Sequence, residues 1–200
     1  MSFGIGCFVI YSLESRRELE SRALATQIAS SHAQSIEKQL SRSLSTTLAL
    51  ATILKENSSF PNFGSVAADL IKRYGGISNL QLAPDAIIRK IFPLKGNEPA
   101  IGLDLKKNPK AVTAIETRQL VVEGPFNLVQ GGVAIVGRYP VFLPDEKTGE
   151  EKFWGFTTVL IELSQLLAIV DIHGLVSKNY HLELSNAVFI KDKKIIIAQS

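Results

Sequence analysis

CFVIYSLESRRELESRALATQIASSHAQSIEKQLSRSLSTTLALATILKENSSF, residues Cys7 to Phe60, contains neither glycine nor proline. A stretch this long without a helix breaker exceeds the ordinary globular helix and predicts a coiled coil, a stalk or a membrane-linked helix. Leu24, Ile28, Ile36, Leu40, Leu44 and Leu48 recur at multiples of four, and Ala25, Ala29 and Ala33 fill the neighbouring face. The stripe drifts around the helix, so it does not make the strict a/d seam of a tight zipper. The expectation is one helical stalk over residues 14–60, with two helices folded back on each other as the alternative. Upstream, Phe3 to Leu13 (FGIGCFVIYSL) carries no charge. As a helix this run rises roughly 16 Å, about half a bilayer core. It lacks the basic n-region and small-residue cleavage site of a signal peptide. Residues 1–13 therefore read as the remnant of a transmembrane helix, the alternative being a buried core helix or an h-region. Continuous from that end, the whole helix would reach roughly 80 Å.

Downstream, Phe60-Pro61-Asn62-Phe63-Gly64 marks a change of composition and the start of an α/β pattern. Ser65 can cap a short helix with Val66, Leu70, Ile71 and Tyr74 on its apolar side, and Gly75-Gly76 ends it. Leu80 and Leu82 alternate with Asn79 and Gln81, the pattern of a half-buried strand. Pro84-Asp85 turns the chain into a second strand, Ala86 to Phe92. Asn108-Pro109 is a strong helix start, and that helix should run to about Gln119. Leu120 to Glu123 is then extended. Val133 to Phe142 and Phe153 to Ile161 form the clearest hairpin, joined by a charged loop from Pro144 to Lys152. Ser164 can cap a further helix ending at Gly174. After it, Leu182 and Leu184 alternate with polar neighbours, and Asp192-Lys193 sits between apolar runs like a hairpin turn.

This order predicts an α+β fold. A long N-terminal stalk helix is followed by a PAS-like antiparallel sheet with helices on one face, and then by the start of a second PAS-like unit. The expected divisions are the transmembrane remnant 1–13, the stalk 14–60, a membrane-distal unit 61–174 and a truncated membrane-proximal unit 175–200. An apolar fraction of 46% is enough for a real core. The net charge of +3 is mild and its charges are interspersed, so nucleic acid is not an expected partner. The lone Cys7 excludes an intrachain disulfide and a Cys-rich metal site.

The segment Ile91 to Phe142 resembles the CHASE family, the extracytoplasmic sensory module of many histidine kinases and nucleotide cyclases. The matching pieces are Phe92-Pro93-Leu94, Gly96-Asn97-Glu98, Gly102-Leu103-Asp104-Leu105, Gly124-Pro125-Phe126-Asn127-Leu128-Val129-Gln130-Gly131-Gly132 and Tyr139-Pro140-Val141-Phe142. Phe153-Trp154-Gly155-Phe156, leading into Val159-Leu160-Ile161, also looks like the family. The resemblance implies two PAS-like units stacked on a long helix between two membrane spans, with a small molecule bound in the membrane-distal unit. Plant members recognise adenine-type cytokinins; bacterial members do not share one ligand, so the compound class does not transfer. Carried over by motif, Asp104 and Tyr139 would contribute to the pocket, with backbone groups near Val122 beside them.

Read by their own chemistry, these residues leave alternatives open. The Asp104 carboxylate could accept a charge-assisted bond from a ligand amine, or it could be a surface turn residue before Lys106 and Lys107. Arg138 lies in an otherwise apolar strand, where an unpaired charge is expensive. It could grip a ligand carboxylate or face outward from an exposed sheet face, and Arg89 is weighed the same way. Phe92, Tyr139 and Phe156 could form flat pocket walls or simply core. The GxxxxG outline of Gly132 to Arg138 is not a phosphate loop, because arginine replaces lysine and strand formers intervene. His32, His173 and His181 lack ligand spacing, so no metal or cofactor is expected. No nucleophile–base motif appears, and the fragment is not expected to be an enzyme.

Two classes of function remain. One is a sensor of an unknown small molecule, held in the periplasm or outside the cell by a helix anchored in the inner membrane. It would signal as a stalk-paired homodimer to a cytoplasmic diguanylate cyclase or histidine kinase. The other is a ligand-free protein-interaction or dimerisation module of a membrane receptor.

Overall fold

The computed structural model describes residues 3–57, 60–127, 132–145, 147–170, 183–185 and 196–199. Most of the run without glycine or proline lies in a single helix, α1 (Phe3–Asn57), which also takes in Gly4 and Gly6. Packing divides the chain into two compact units, Met1–Lys38 and Gln39–Ser200. In the first, the helix carries exposed Leu19 and Leu24. In the second, α1 buries Gln39, Ser43, Thr46, Thr47, Leu50 and Leu54. Their spacing of three and four marks one helical face. It is not the leucine stripe read from the sequence, since Leu48 is exposed. Small hydroxyl residues can occupy the buried face because each finds a main-chain acceptor. Ser43 donates to the Gln39 carbonyl at 3.1 Å, Thr46 to that of Ser43 at 2.6 Å and Thr47 to that of Leu44 at 2.8 Å.

Helix α2 (Phe63–Tyr74) ends at Gly75, whose positive φ of 67° suits glycine. Then come β1 (Ile77–Pro84), β2 (Lys90–Phe92), α3 (Pro109–Thr117), β3 (Val121–Asn127), β4 (Val133–Pro144), β5 (Glu151–Glu162) and α4 (Leu163–Ile169). The strands make one antiparallel sheet in the order β2-β1-β5-β4-β3. The second strand is shorter than the expected Ala86 to Phe92. Residues 86–88 pair instead with the loop that follows: Leu105 N–H donates to the Ala86 carbonyl, Ile88 N–H to that of Leu103, and Gly102 N–H to that of Ile88. Helix α3 starts as its sequence predicts, with the Asn108 side chain accepting from Lys110 N–H at 2.9 Å ahead of Pro109. Helix α4 ends at Ile169 with Val170 as its C-cap, short of the expected Gly174, and the turn expected at Asp192-Lys193 lies outside the described residues. Strands β6 (Glu183–Ser185) and β7 (Ile196–Gln199) pair antiparallel in a separate two-stranded sheet.

Side chains paired across a ladder share a face and alternate along each strand. Thr157 of β5 donates its hydroxyl to the Thr47 carbonyl of α1 at 2.8 Å, which fixes one face as the α1 side. On that face a Cβ at Gly137 would run into Leu44 of α1, so glycine lets helix and sheet approach closely. On the other face Ala83 and Phe156 pack with Leu105, Ala111 and Ala114, so α3 and the loop before it form the cover there.

Candidate functional site

The face under α3 is polar where a core would ordinarily be apolar. One rung crosses all five strands there: Ile91 pairs with Gln81, Gln81 with Thr158, Thr158 with Arg138 and Arg138 with Val121. The adjacent rung holds Asn79, Leu160, Val136 and Glu123. Asn79, Gln81, Glu123 and Thr158 are all buried. Their alternation with Leu80 and Leu82 is the expected one for β1, yet both faces of the strand are covered.

Such a layer is tolerated when its groups pair with one another. Gln81 Nε2 donates to Asn79 Oδ1 at 2.9 Å, and Asn79 Nδ2 donates to Asn97 Oδ1 at 3.1 Å, tying the sheet to the covering loop. Arg138 Nη1 donates to Glu123 Oε1 at 2.7 Å, with side chains only 12% and 6% exposed. Asn108 Nδ2 donates to Glu123 Oε2 at 2.9 Å, so the residue that caps α3 also clamps the carboxylate. Two polar atoms are left over. Arg138 Nε and Thr158 Oγ1 are buried and have no hydrogen-bond partner among the described residues. They sit on directly paired positions of β4 and β5.

The sequence-predicted residues divide between the two faces. Arg138 and Phe156 lie on the α3 side, Arg138 in the polar rung and Phe156 in the apolar cluster next to it. Arg138 is therefore neither outward-facing nor solvated, the reading that a lone charge in an apolar strand had left open. Asp104 stands half-buried in the covering loop, where its carboxylate accepts from Lys106 N–H at 2.9 Å and caps a 3-10 turn. Tyr139 pairs with Thr157 and Val122 with Gly137, so both belong to the α1 side, and Val122 is 44% exposed. Phe92 pairs with Leu80 on that same side and comes up against Gly64 of α2. Asp104 and Tyr139 are thus separated by the sheet. Arg89 is exposed and borders a cleft of about 420 Å³ with Pro61, Phe63 and Leu94; a second cleft of about 310 Å³ lies beside Ile53 and Phe60. Neither is lined by Asp104 or Tyr139.

Sequence reasoning missed Glu123, Thr158, Gln81 and Asn79 as site residues. The available signal was the alternation of Asn79 and Gln81 in β1 together with Glu123 and Thr158 in the otherwise apolar runs of β3 and β5, and only the register brings them into adjacent rungs. Among the described residues no group of three His, Cys, Asp or Glu side chains could hold a metal ion. No described helix is long and apolar enough to cross a membrane.

The family model of the CHASE domain matches residues 12–193. No curated protein matches the sequence. Among solved structures, the chain is similar to an extracellular ligand binding receptor from Desulfohalobium retbaense DSM5692, with 20% identity and a TM-score of 0.55 over 69% of this chain and 25% of that one. The chain thus spans about a quarter of that receptor's length. It is also similar to the ligand binding domain of the Pseudomonas aeruginosa PAO1 amino acid chemoreceptor PctC in complex with GABA, with 18% identity and a TM-score of 0.57 over 80% of this chain and 70% of that one. At these identities the likeness is one of fold.

Proposed function

The chain belongs to the CHASE domain family, and from that membership we propose that it is the extracytoplasmic sensor of a membrane receptor, binding a small molecule between the sheet and α3. The observation that carries this reading is the buried polar rung with its two unpartnered atoms, Arg138 Nε and Thr158 Oγ1. An orphaned buried polar group costs free energy that a ligand's complementary atom recovers. Arg138 and Thr158 make the direct contacts, Phe156 is a wall, and Asp104 sits in the loop that closes over the site. Tyr139, Val122 and Phe92, on the far face, act through the packing of sheet against helices.

Strand β5 offers a route for the signal. Its neighbouring residues Thr158 and Thr157 point to opposite faces, one into the polar rung and one onto the Thr47 carbonyl of α1. A ligand that shifts Thr158 therefore shifts the contact to the helix. In this reading α1 is anchored in the inner membrane through its apolar beginning and pairs with a second copy along its exposed leucines. It relays to a cytoplasmic output such as a diguanylate cyclase or a histidine kinase. A thermal-shift screen of neutral, cationic and anionic metabolites, with native mass spectrometry of protein taken from its host, tests the binding step. At least one compound should raise the melting temperature, and Thr158→Val should reduce that rise. No binder in either experiment would overturn the reading.

A further inference from the structure

We infer that the small molecule taken up on this face carries a carboxylate, which docks on the Nε–H of Arg138 and the hydroxyl of Thr158. The inference rests on the sensor reading above and adds the chemistry of the ligand. Arg138 Nε can only donate and the Thr158 hydroxyl can donate as well, so one acceptor would satisfy both orphaned groups. An ammonium is disfavoured because the one carboxylate beside the rung, Glu123, already has its charge paired with Arg138 and a second bond from Asn108.

Arg138 spends Nη1 on Glu123, while the opposite side of its guanidinium carries the unpartnered Nε. A planar guanidinium edge matches a carboxylate in shape, and a bond between two ionised groups is roughly twice as strong as a neutral one. Thr158 is the direct cross-strand partner of Arg138, and such pairs place their Cβ atoms roughly 4.5–5.5 Å apart. One carboxylate can therefore take a bond from each. A phosphate dianion fits less well, because a second negative charge would be buried beside Glu123 without another cation in the rung.

Acid–amide pairs provide the test: acetate and acetamide, propionate and propionamide, succinate and succinamide, benzoate and benzamide, each titrated calorimetrically into the wild-type chain. At least one acid should bind, and its amide should bind at least about tenfold more weakly. Thr158→Val should weaken the acid roughly ten- to a hundredfold, the value of one hydrogen bond to a charged group, and Thr158→Ser should restore it. Arg138→Lys keeps a cation for Glu123 but removes the guanidinium edge, and should lose acid binding while the melting transition remains cooperative. The inference is overturned if no acid binds, if amides bind as tightly as acids, or if Thr158→Val and Arg138→Lys leave acid affinity unchanged. A neutral or cationic binder found in the broader screen, with no acid binding, overturns the carboxylate and leaves the sensor reading standing.

Discussion

Thr157 and Thr158 are adjacent, fully buried and chemically identical, yet the same substitution should move stability in opposite directions at the two sites. Thr→Val replaces a hydroxyl by a methyl of nearly the same size and keeps a β-branched residue in the strand. The Thr157 hydroxyl donates to the Thr47 carbonyl at 2.8 Å. Losing that bond should cost about 0.5–1.5 kcal/mol. The Thr158 hydroxyl is buried without a partner among the described residues, a situation that costs roughly 1–3 kcal/mol in protein mutational series. Thr158→Val should therefore stabilise the ligand-free protein by about 1 kcal/mol. The two variants should then differ by about 2 kcal/mol, or roughly 4–8 °C in melting temperature for a chain of this size. Differential scanning calorimetry and urea unfolding of both variants beside the wild type would measure it. Equal destabilisation by the two substitutions would refute the reasoning, because it would mean that the Thr158 hydroxyl is satisfied in the folded protein.

Arg138→Ala should cost about 3–5 kcal/mol by leaving the Glu123 carboxylate buried and unpaired, whereas the double variant Arg138→Met, Glu123→Leu should regain most of it; chemical denaturation of single and double variants shows whether the pair serves binding rather than stability. Gly155→Ala should destabilise by roughly 3 kcal/mol or more. Its φ is 150° and a Cβ there would strike the main-chain oxygen of Ala83, which cannot swing aside as a side chain would. A thermal melt within a few degrees of the wild type would contradict this. In the β4–β5 loop, the Lys152 side chain, followed by the N–H groups of Lys147 and Thr148, holds the Asp145 carboxyl down to about 2. The folded form is thus favoured over the unfolded one above the ordinary carboxylate pKa, and that preference is lost as pH falls toward 2. Carbon-detected NMR titration should find the low midpoint in the wild type and a higher one in Lys152→Ala.

Local chemistry was enough to read most of the elements. The absence of glycine and proline from Cys7 to Phe60 dictated α1, Asn108-Pro109 dictated the start of α3, and the charged loop between two apolar strands dictated the β4–β5 hairpin. Each signal acts within a few residues, through backbone φ, a missing N–H or a capping side chain, and so it survives without knowledge of the rest of the fold. The site was not legible in this way. Alternation showed that Asn79 and Gln81 share a face of β1, but periodicity carries no information on whether that face meets water or α3. Nor could it tell that Arg138 lies beside Thr158, or that Glu123 lies one rung away, because a cross-strand neighbour is set by register and a shift of one residue sends a side chain to the other face. Tyr139 shows the consequence: its motif lies next to Arg138 in sequence, and the strand pleat turns it toward α1. The sequence by itself determined most of the helices and strands and the family resemblance. Only the tertiary structure decided which polar side chains would be buried together, because that depends on pairings between strands far apart along the chain.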